Sequence, residues 1–170
     1  MTAILFSNAR LIDPEAGTDG PGSLLVGDGR IGGRGAPDEA APEGAEIVDC
    51  GGRVLAPGLI DWGVKIGEPG ERHKESFRSA GLAAAAGGVT TIIARPDTAP
   101  PIDTPESLEF VTRRAADAKV NIRHMAALTK QRAGREMVEI GFLSDLGAAA
   151  FTDGVRVVSD SKLLSRCMAY

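Results

Sequence analysis

Val54-Leu55-Ala56-Pro57-Gly58-Leu59-Ile60-Asp61-Trp62-Gly63-Val64-Lys65-Ile66-Gly67-Glu68-Pro69-Gly70, continuing through His73-Lys74-Glu75 to Ala83-Ala84-Ala85-Ala86-Gly87-Gly88-Val89-Thr90-Thr91, is the stretch that decides the fold. An apolar run of strand length, Leu59 to Val64, passes through a turn containing Gly and Pro into a helix-like segment, His73 to Ala86. The pair Gly87-Gly88 then separates that segment from a second apolar run, Thr90 to Ala94. Parallel neighbouring strands need a long crossover, usually a helix, so strand, helix and strand in this order read as a β/α/β unit.

Outward from that unit the alternation continues. A helix is expected over Pro105 to Ala118, a strand over Asn121 to Leu128, a helix over Gly134 to Leu146, a strand over Ala148 to Phe151 and a helix over Ser161 to Tyr170. Thr104 suits the cap of the second helix and Pro105 its first turn, and Gly87-Gly88 suits the end of the first. Four β/α units over residues 55–170 amount to half of a (β/α)8 barrel. Residues 1–54 carry shorter apolar runs such as Ala3-Ile4-Leu5-Phe6, Ser23-Leu24-Leu25-Val26 and Glu46-Ile47-Val48-Asp49, broken by Gly, Pro and Asp. They read as a small β domain of antiparallel strands. Half a barrel leaves two sheet edges and an apolar face without partners. A longer native chain, a dimer, or a second polypeptide that completes the barrel is therefore expected.

Composition bounds the partners. The 170 residues are 43% hydrophobic and 25% charged, as in a globular protein, with a net charge of −4. No Lys/Arg run is present, so neither nucleic acid nor an anionic membrane is an expected partner. No apolar run approaches the roughly 20 residues needed to span a bilayer, and no signal-peptide pattern is seen, so the cytoplasm is expected. Cys50 and Cys167 are read as two reduced thiols. Neither a phosphate-loop glycine spacing nor a Gly-x-Ser-x-Gly elbow occurs.

Three motifs in family order resemble the dihydroorotases, the cyclic amidohydrolases of pyrimidine synthesis. The first is the stretch quoted above. The second, Arg95-Pro96-Asp97-Thr98-Ala99-Pro100-Pro101-Ile102-Asp103-Thr104-Pro105-Glu106, is similar to the family's x-Pro-Asn-Thr-x-Pro-Pro-Ile-Asp-x-Pro-Glu. The third, Gly147-Ala148-Ala149-Ala150-Phe151-Thr152-Asp153-Gly154, is similar to Gly-Ala-x-Ala-Phe-Ser-Asp-Asp-Gly. The resemblance implies an amidohydrolase barrel and, in members more than twice this length, a zinc-dependent ring-opening hydrolysis of dihydroorotate. It also shows what is changed. Where the family has x-His-x-His-x-Arg-Glu-Pro-Gly, with zinc on the histidines and the substrate carboxylate on the arginine, this chain has Gly63, Lys65 and Gly67.

Strand periodicity places Asp61, Gly63 and Lys65 on one face. Zinc requires lone pairs from imidazole, thiolate or carboxylate. Gly63 supplies none and the Lys65 ammonium only donates, so no metal is expected on this strand. Asp153 matches the family aspartate that replaces a bridging carbamylated lysine. A buried carboxylate without metal needs a cation, so an ion pair of Lys65 with Asp153 and Asp61 is expected in the old metal site, the alternative being Asp153 as a solvated turn residue. The family asparagine that helps hold the substrate carboxylate is Asp97 here, and Arg95 is either an anion contact or Asp97's partner. His73, near the start of the first helix, and His124, on the third strand, are read as structural.

Two functions follow from the resemblance. One is a dihydroorotase-like protein impaired in catalysis, a homo-oligomer or a structural partner of aspartate transcarbamoylase, with no cofactor in this segment. The other is an active hydrolase using zinc held by Asp153 and by residues outside the segment.

Overall fold

In the computed structural model, which describes residues 3–170, the chain divides into two compact units, the first running through Pro57 and the second from Gly58 to Tyr170. The first is a sheet. β1 (Ala3–Asp13) pairs antiparallel with β2 (Thr18–Gly27), Leu5 lying opposite Leu25, and β2 pairs antiparallel with β3 (Arg30–Gly35). Asp28 and Gly29 join β2 to β3 with φ of +50° and +74°, the two left-handed residues that a tight hairpin turn requires.

The expected antiparallel pattern needs one correction. β4 (Glu46–Asp49) and β5 (Val54–Leu55) both run parallel to β1, opposite Ile4 to Ser7 and opposite Arg10 and Leu11. The chain after β3 crosses back before it re-enters the sheet, and on the way Pro37 accepts a hydrogen bond from the Asn8 N–H at 3.1 Å. The strand order is β3-β2-β1-β4, with β5 also on β1.

The second unit is built from parallel strands in the order β6-β7-β8: β6 (Leu59–Val64), β7 (Val89–Ala94) and β8 (Asn121–His124). α1 (Phe77–Ala86) and α2 (Pro105–Ala115) form the crossovers. Each begins with a reciprocal capping box, Ser76 with Ser79 and Thr104 with Ser107, which satisfies N–H groups that have no partner inside the helix. α1 starts later than the expected His73. The Glu71 N–H bonds to the Gly67 carbonyl and the Lys74 N–H to that of Glu71, so residues 67–75 form a turn ahead of the helix. Gly87 ends α1, its N–H bonding back to Ala83 and Ala84.

One core serves this unit. Ile92 and Ala94 of β7 pack with Phe77 and Ala80 of α1 and with Leu108 and Val111 of α2, all buried. The third and fourth units are shorter than expected. α3 (Ile140–Asp145) forms only at the end of the anticipated helix, and α4 (Ser161–Ala169) is capped by Asp160. The fourth strand reduces to a single parallel bridge, Ala126 opposite Phe151, with backbone bonds from Ala126 to Ala150 and from Thr152 to Ala126, both 2.9 Å. The result is a partial barrel whose first strand, β6, has β7 as its one neighbour among the described residues. Leu59, Ile60 and Trp62 on that edge are each more than 60% exposed.

Candidate functional site

In β/α barrels the chemistry gathers at the C-terminal ends of the strands and on the loops that follow them. At the end of β6 the ladder carries an extra residue. Trp62 lies opposite Ile93 and Val64 opposite Ala94, so Gly63 bulges out with φ +85°, a left-handed value that a residue with a side chain rarely adopts. Simple alternation does not carry across a bulge, and the expectation that Asp61, Gly63 and Lys65 share one face fails there. Two residues later Lys65 is exposed, its Nζ 3.7 Å from a Glu71 carboxylate oxygen. Glu71 also binds Lys74, and with Lys65 this holds its carboxyl below the usual range. At Gly67 a Cβ would lie 2.6 Å from the Glu71 carbonyl oxygen and 3.0 Å from that of Glu75. The turn that precedes α1 fills the space a side chain would need.

The carboxylate at the end of the fourth strand has other partners than expected. Asp153 is buried, and its Oδ1 accepts hydrogen bonds from the N–H groups of Leu128 and Thr129, each at 3.0 Å. Its Oδ2 accepts the Thr129 hydroxyl. The anticipated ion pair of Asp153 with Lys65 and Asp61 is therefore corrected. Among the described residues Lys65 pairs with Glu71, and Asp61 is exposed and in no salt bridge. Two main-chain N–H groups and a hydroxyl satisfy a buried carboxylate without the cost of dehydrating an ammonium. The solvated-turn alternative fails as well, because the group is buried.

Thr129 opens a loop that the sequence did not single out. Gln131 and Arg132 both have left-handed backbones, at φ +53° and +54°. Buried Asp103 accepts the Gln131 N–H at 2.7 Å, Arg132 Nε donates to the Asp153 carbonyl at 3.1 Å, and Arg156 donates to the carbonyls of Gln131 and Arg132. Two buried carboxylates thus hold a conformation that costs energy locally.

Arg95 and Asp97 follow β7: the Arg95 N–H bonds to the Val64 carbonyl at 2.8 Å, and a Cβ on Gly154 would lie 3.5 Å from the Asp97 side chain. The guanidinium binds the buried Asp97 carboxylate with two bonds of 3.0 Å, the bidentate fork geometry. Arg95 is thereby committed within the chain.

Glu68, next to Gly67, is a further group that the sequence reading passed over. It accepts the Phe77 N–H at 3.1 Å, at the start of α1, and Arg114 of α2 at 2.8 Å. Burial raises its pKa, but the hydrogen bonds from Arg114 and Phe77 outweigh that effect, and the carboxyl ends below its ordinary range. Neither histidine joins these contacts among the described residues. His73 is exposed in the turn before α1. His124 is 2% exposed, its ring edge-on to Phe77 with centroids 5.4 Å apart. Among the described residues neither of its nitrogens makes a hydrogen bond of good geometry, and burial pushes its pKa down to about 4, an effect that a weak interaction with the Val111 backbone offsets only in part.

Zinc fits poorly with this donor set. Gly63 has no side chain, Lys65 has no lone pair to give, and Asp153 has three of its roughly four acceptor positions in use. Among the described residues no group of three or more His, Cys, Asp or Glu side chains is arranged to hold a metal ion.

The fold is that of the amidohydrolase barrels. An L-hydantoinase (dihydropyrimidinase) from Arthrobacter aurescens superposes with a TM-score of 0.74 over 89% of this chain and 32% of its own, at 26% identity. A D-hydantoinase structure matches with a TM-score of 0.73 over 99% of this chain and 38% of its own; at 22% identity this likeness shows the fold alone. Within that class the sequence is more specific. A family model described as Dihydro-orotase-like matches residues 52–170. The dihydroorotase of Streptococcus pneumoniae serotype 4 is 38% identical over 97% of this chain and 39% of its own length, and that of Bacillus cytotoxicus 41% identical over 96% and 38%. The chain belongs to the dihydroorotase-like family, and it spans about two-fifths of the length of these curated relatives.

Proposed function

We propose that this chain serves pyrimidine biosynthesis as part of a dihydroorotase-like protein that is impaired in hydrolysis and acts as a structural partner of aspartate transcarbamoylase. The observation that carries the reading is the end of the first barrel strand. The family resemblance puts two zinc-binding histidines and a substrate-binding arginine there, and this chain has a bulged glycine, a lysine paired with Glu71, and a glycine with no room for a side chain. Hydrolysis of a cyclic amide at neutral pH needs an activated hydroxide, which the family draws from metal-bound water. Substrate recognition is weakened independently, since Asp97 adds a carboxylate where the resemblance places an amide and Arg95 is already bound to it. A protein freed from catalysis can still keep a barrel surface for assembly.

The name borne by the curated relatives favours a second reading, an active dihydroorotase that draws its metal ligands from elsewhere. One experiment separates the two. The complete native polypeptide is co-expressed with the aspartate transcarbamoylase of the same organism, purified by size exclusion, and assayed for dihydroorotate hydrolysis. Co-elution without turnover is the expected result; turnover by the polypeptide alone, without co-elution, would establish the second reading.

A further inference from the structure

The positions that depart from the family pattern are not simply empty. Each is built into the local structure by a different interaction. Gly63 carries the bulge of β6 at φ +85°, and Lys65 reaches Glu71 at 3.7 Å. Carbonyl oxygens of Glu71 and Glu75 stand 2.6 and 3.0 Å from where a Cβ on Gly67 would lie. Asp153, the one residue that the resemblance retains as a ligand, spends its carboxylate on Leu128 and Thr129. The Thr129 hydroxyl accepts the Gly134 N–H at 2.9 Å, which leaves its proton to donate to Asp153.

We infer that Asp153 is an anchor of the Thr129–Gly134 loop rather than an available metal ligand, and that this anchor and the bulge at Gly63 make the loss of the first-strand metal site self-sustaining. Restoring the two imidazoles does not rebuild it. The inference deepens the reading of the chain as non-catalytic and rests on it. A histidine at position 63 has to adopt a left-handed backbone or remove the bulge, and removing the bulge turns Val64, the last residue of β6, to the opposite face. Drawing Asp153 to a cation would leave the Thr129 N–H and hydroxyl without their acceptor in a buried setting.

The test uses the complete native polypeptide and its G63H/K65H, K65H and T129V variants, each purified with zinc present and measured for bound metal by elemental mass spectrometry and for Tm by circular dichroism. G63H/K65H is expected to bind no more zinc than the parent, with a lower Tm. K65H, at an exposed position free of backbone strain, is expected to match the parent in both. T129V, which removes the anchoring hydroxyl, is expected to lower Tm by about 5 °C or more. A gain of about one zinc per chain in G63H/K65H would overturn the inference, and so would a T129V protein that melts with the parent. If the strained double variant fails to fold, T129V still decides the role of Asp153. Zinc and turnover already present in the parent would overturn the functional reading instead, and that outcome is recognisable because it does not depend on any reversion.

Discussion

His124 shows how much one side chain can set. It enters the core as a neutral imidazole with no well-formed hydrogen bond among the described residues, and burial lowers its pKa to about 4 from an ordinary 6.5. The unfolded chain takes up a proton near pH 6.5, while the folded one resists until near pH 4. Stability is therefore whole above pH 6.5, falls as the pH drops through this window and levels off below it, with a loss of about 3 kcal/mol from this residue alone. Urea midpoints measured between pH 8 and pH 4 should show the slope, and His124→Leu should flatten it; an unchanged slope would mean that another group is responsible. Gly63 makes a complementary case. Nothing lies within 4 Å of where its Cβ would be, so Gly63→Ala is free of clashes, yet it should cost about 1–2 kcal/mol through its left-handed backbone. A melting temperature unchanged in that variant would show that the bulge carries no strain. The identity of these residues was plain in the sequence but their settings were not, because a bulge and a buried ring depend on neighbours distant along the chain.

At the level of elements, local signals were the legible ones. Thr104-Pro105 marked the start of α2, Gly87-Gly88 the end of α1, and the alternation of strand-like and helix-like runs set out the parallel order β6-β7-β8. The errors fall where tertiary contacts override the local pattern. α1 begins at Phe77 because the Gly67–Glu75 turn and the Ser76 cap, not His73, determine where the helix can start. The helix expected from Gly134 shrinks to Ile140–Asp145 because Met137 pairs antiparallel with Thr129, the Lys130 N–H bonding to the Glu136 carbonyl and the Val138 N–H to that of Leu128. Thr129 and Asp153 are 24 residues apart and no spacing rule links them. Glu68 couples elements in the same way, joining the first turn of α1 to Arg114 near the end of α2. Glu68→Ala leaves the Phe77 N–H and a half-exposed guanidinium unpaired, and solvent screening at Arg114 keeps the expected cost to about 2 kcal/mol. Chemical denaturation of that variant checks the figure, and a loss below about 0.5 kcal/mol would show that the contacts of Glu68 with Phe77 and Arg114 contribute little to stability.

Across the whole molecule the decisive feature is incompleteness. Among the described residues β6 has one neighbour, and Leu59, Ile60 and Trp62 expose 63%, 65% and 62% of their surfaces on it. Trp62 is the single tryptophan of the chain, so it reports on this edge without interference. In the 170-residue chain studied by itself, acrylamide should quench its fluorescence readily; a shielded Trp62 would show that copies of the chain cover the edge among themselves. A partial barrel could be read from the sequence because four β/α repeats cannot close a sheet of eight. The family could be read because its motifs lie in order from Gly52 onward, where residues 52–170 match. The proposal that this family member has given up metal-dependent hydrolysis is tested most directly by measuring zinc per chain and dihydroorotate turnover on one sample of the complete native polypeptide purified without chelators. Less than about a tenth of an equivalent of zinc and no turnover is the expected result, and about one or two equivalents with turnover would contradict the proposed loss of hydrolysis.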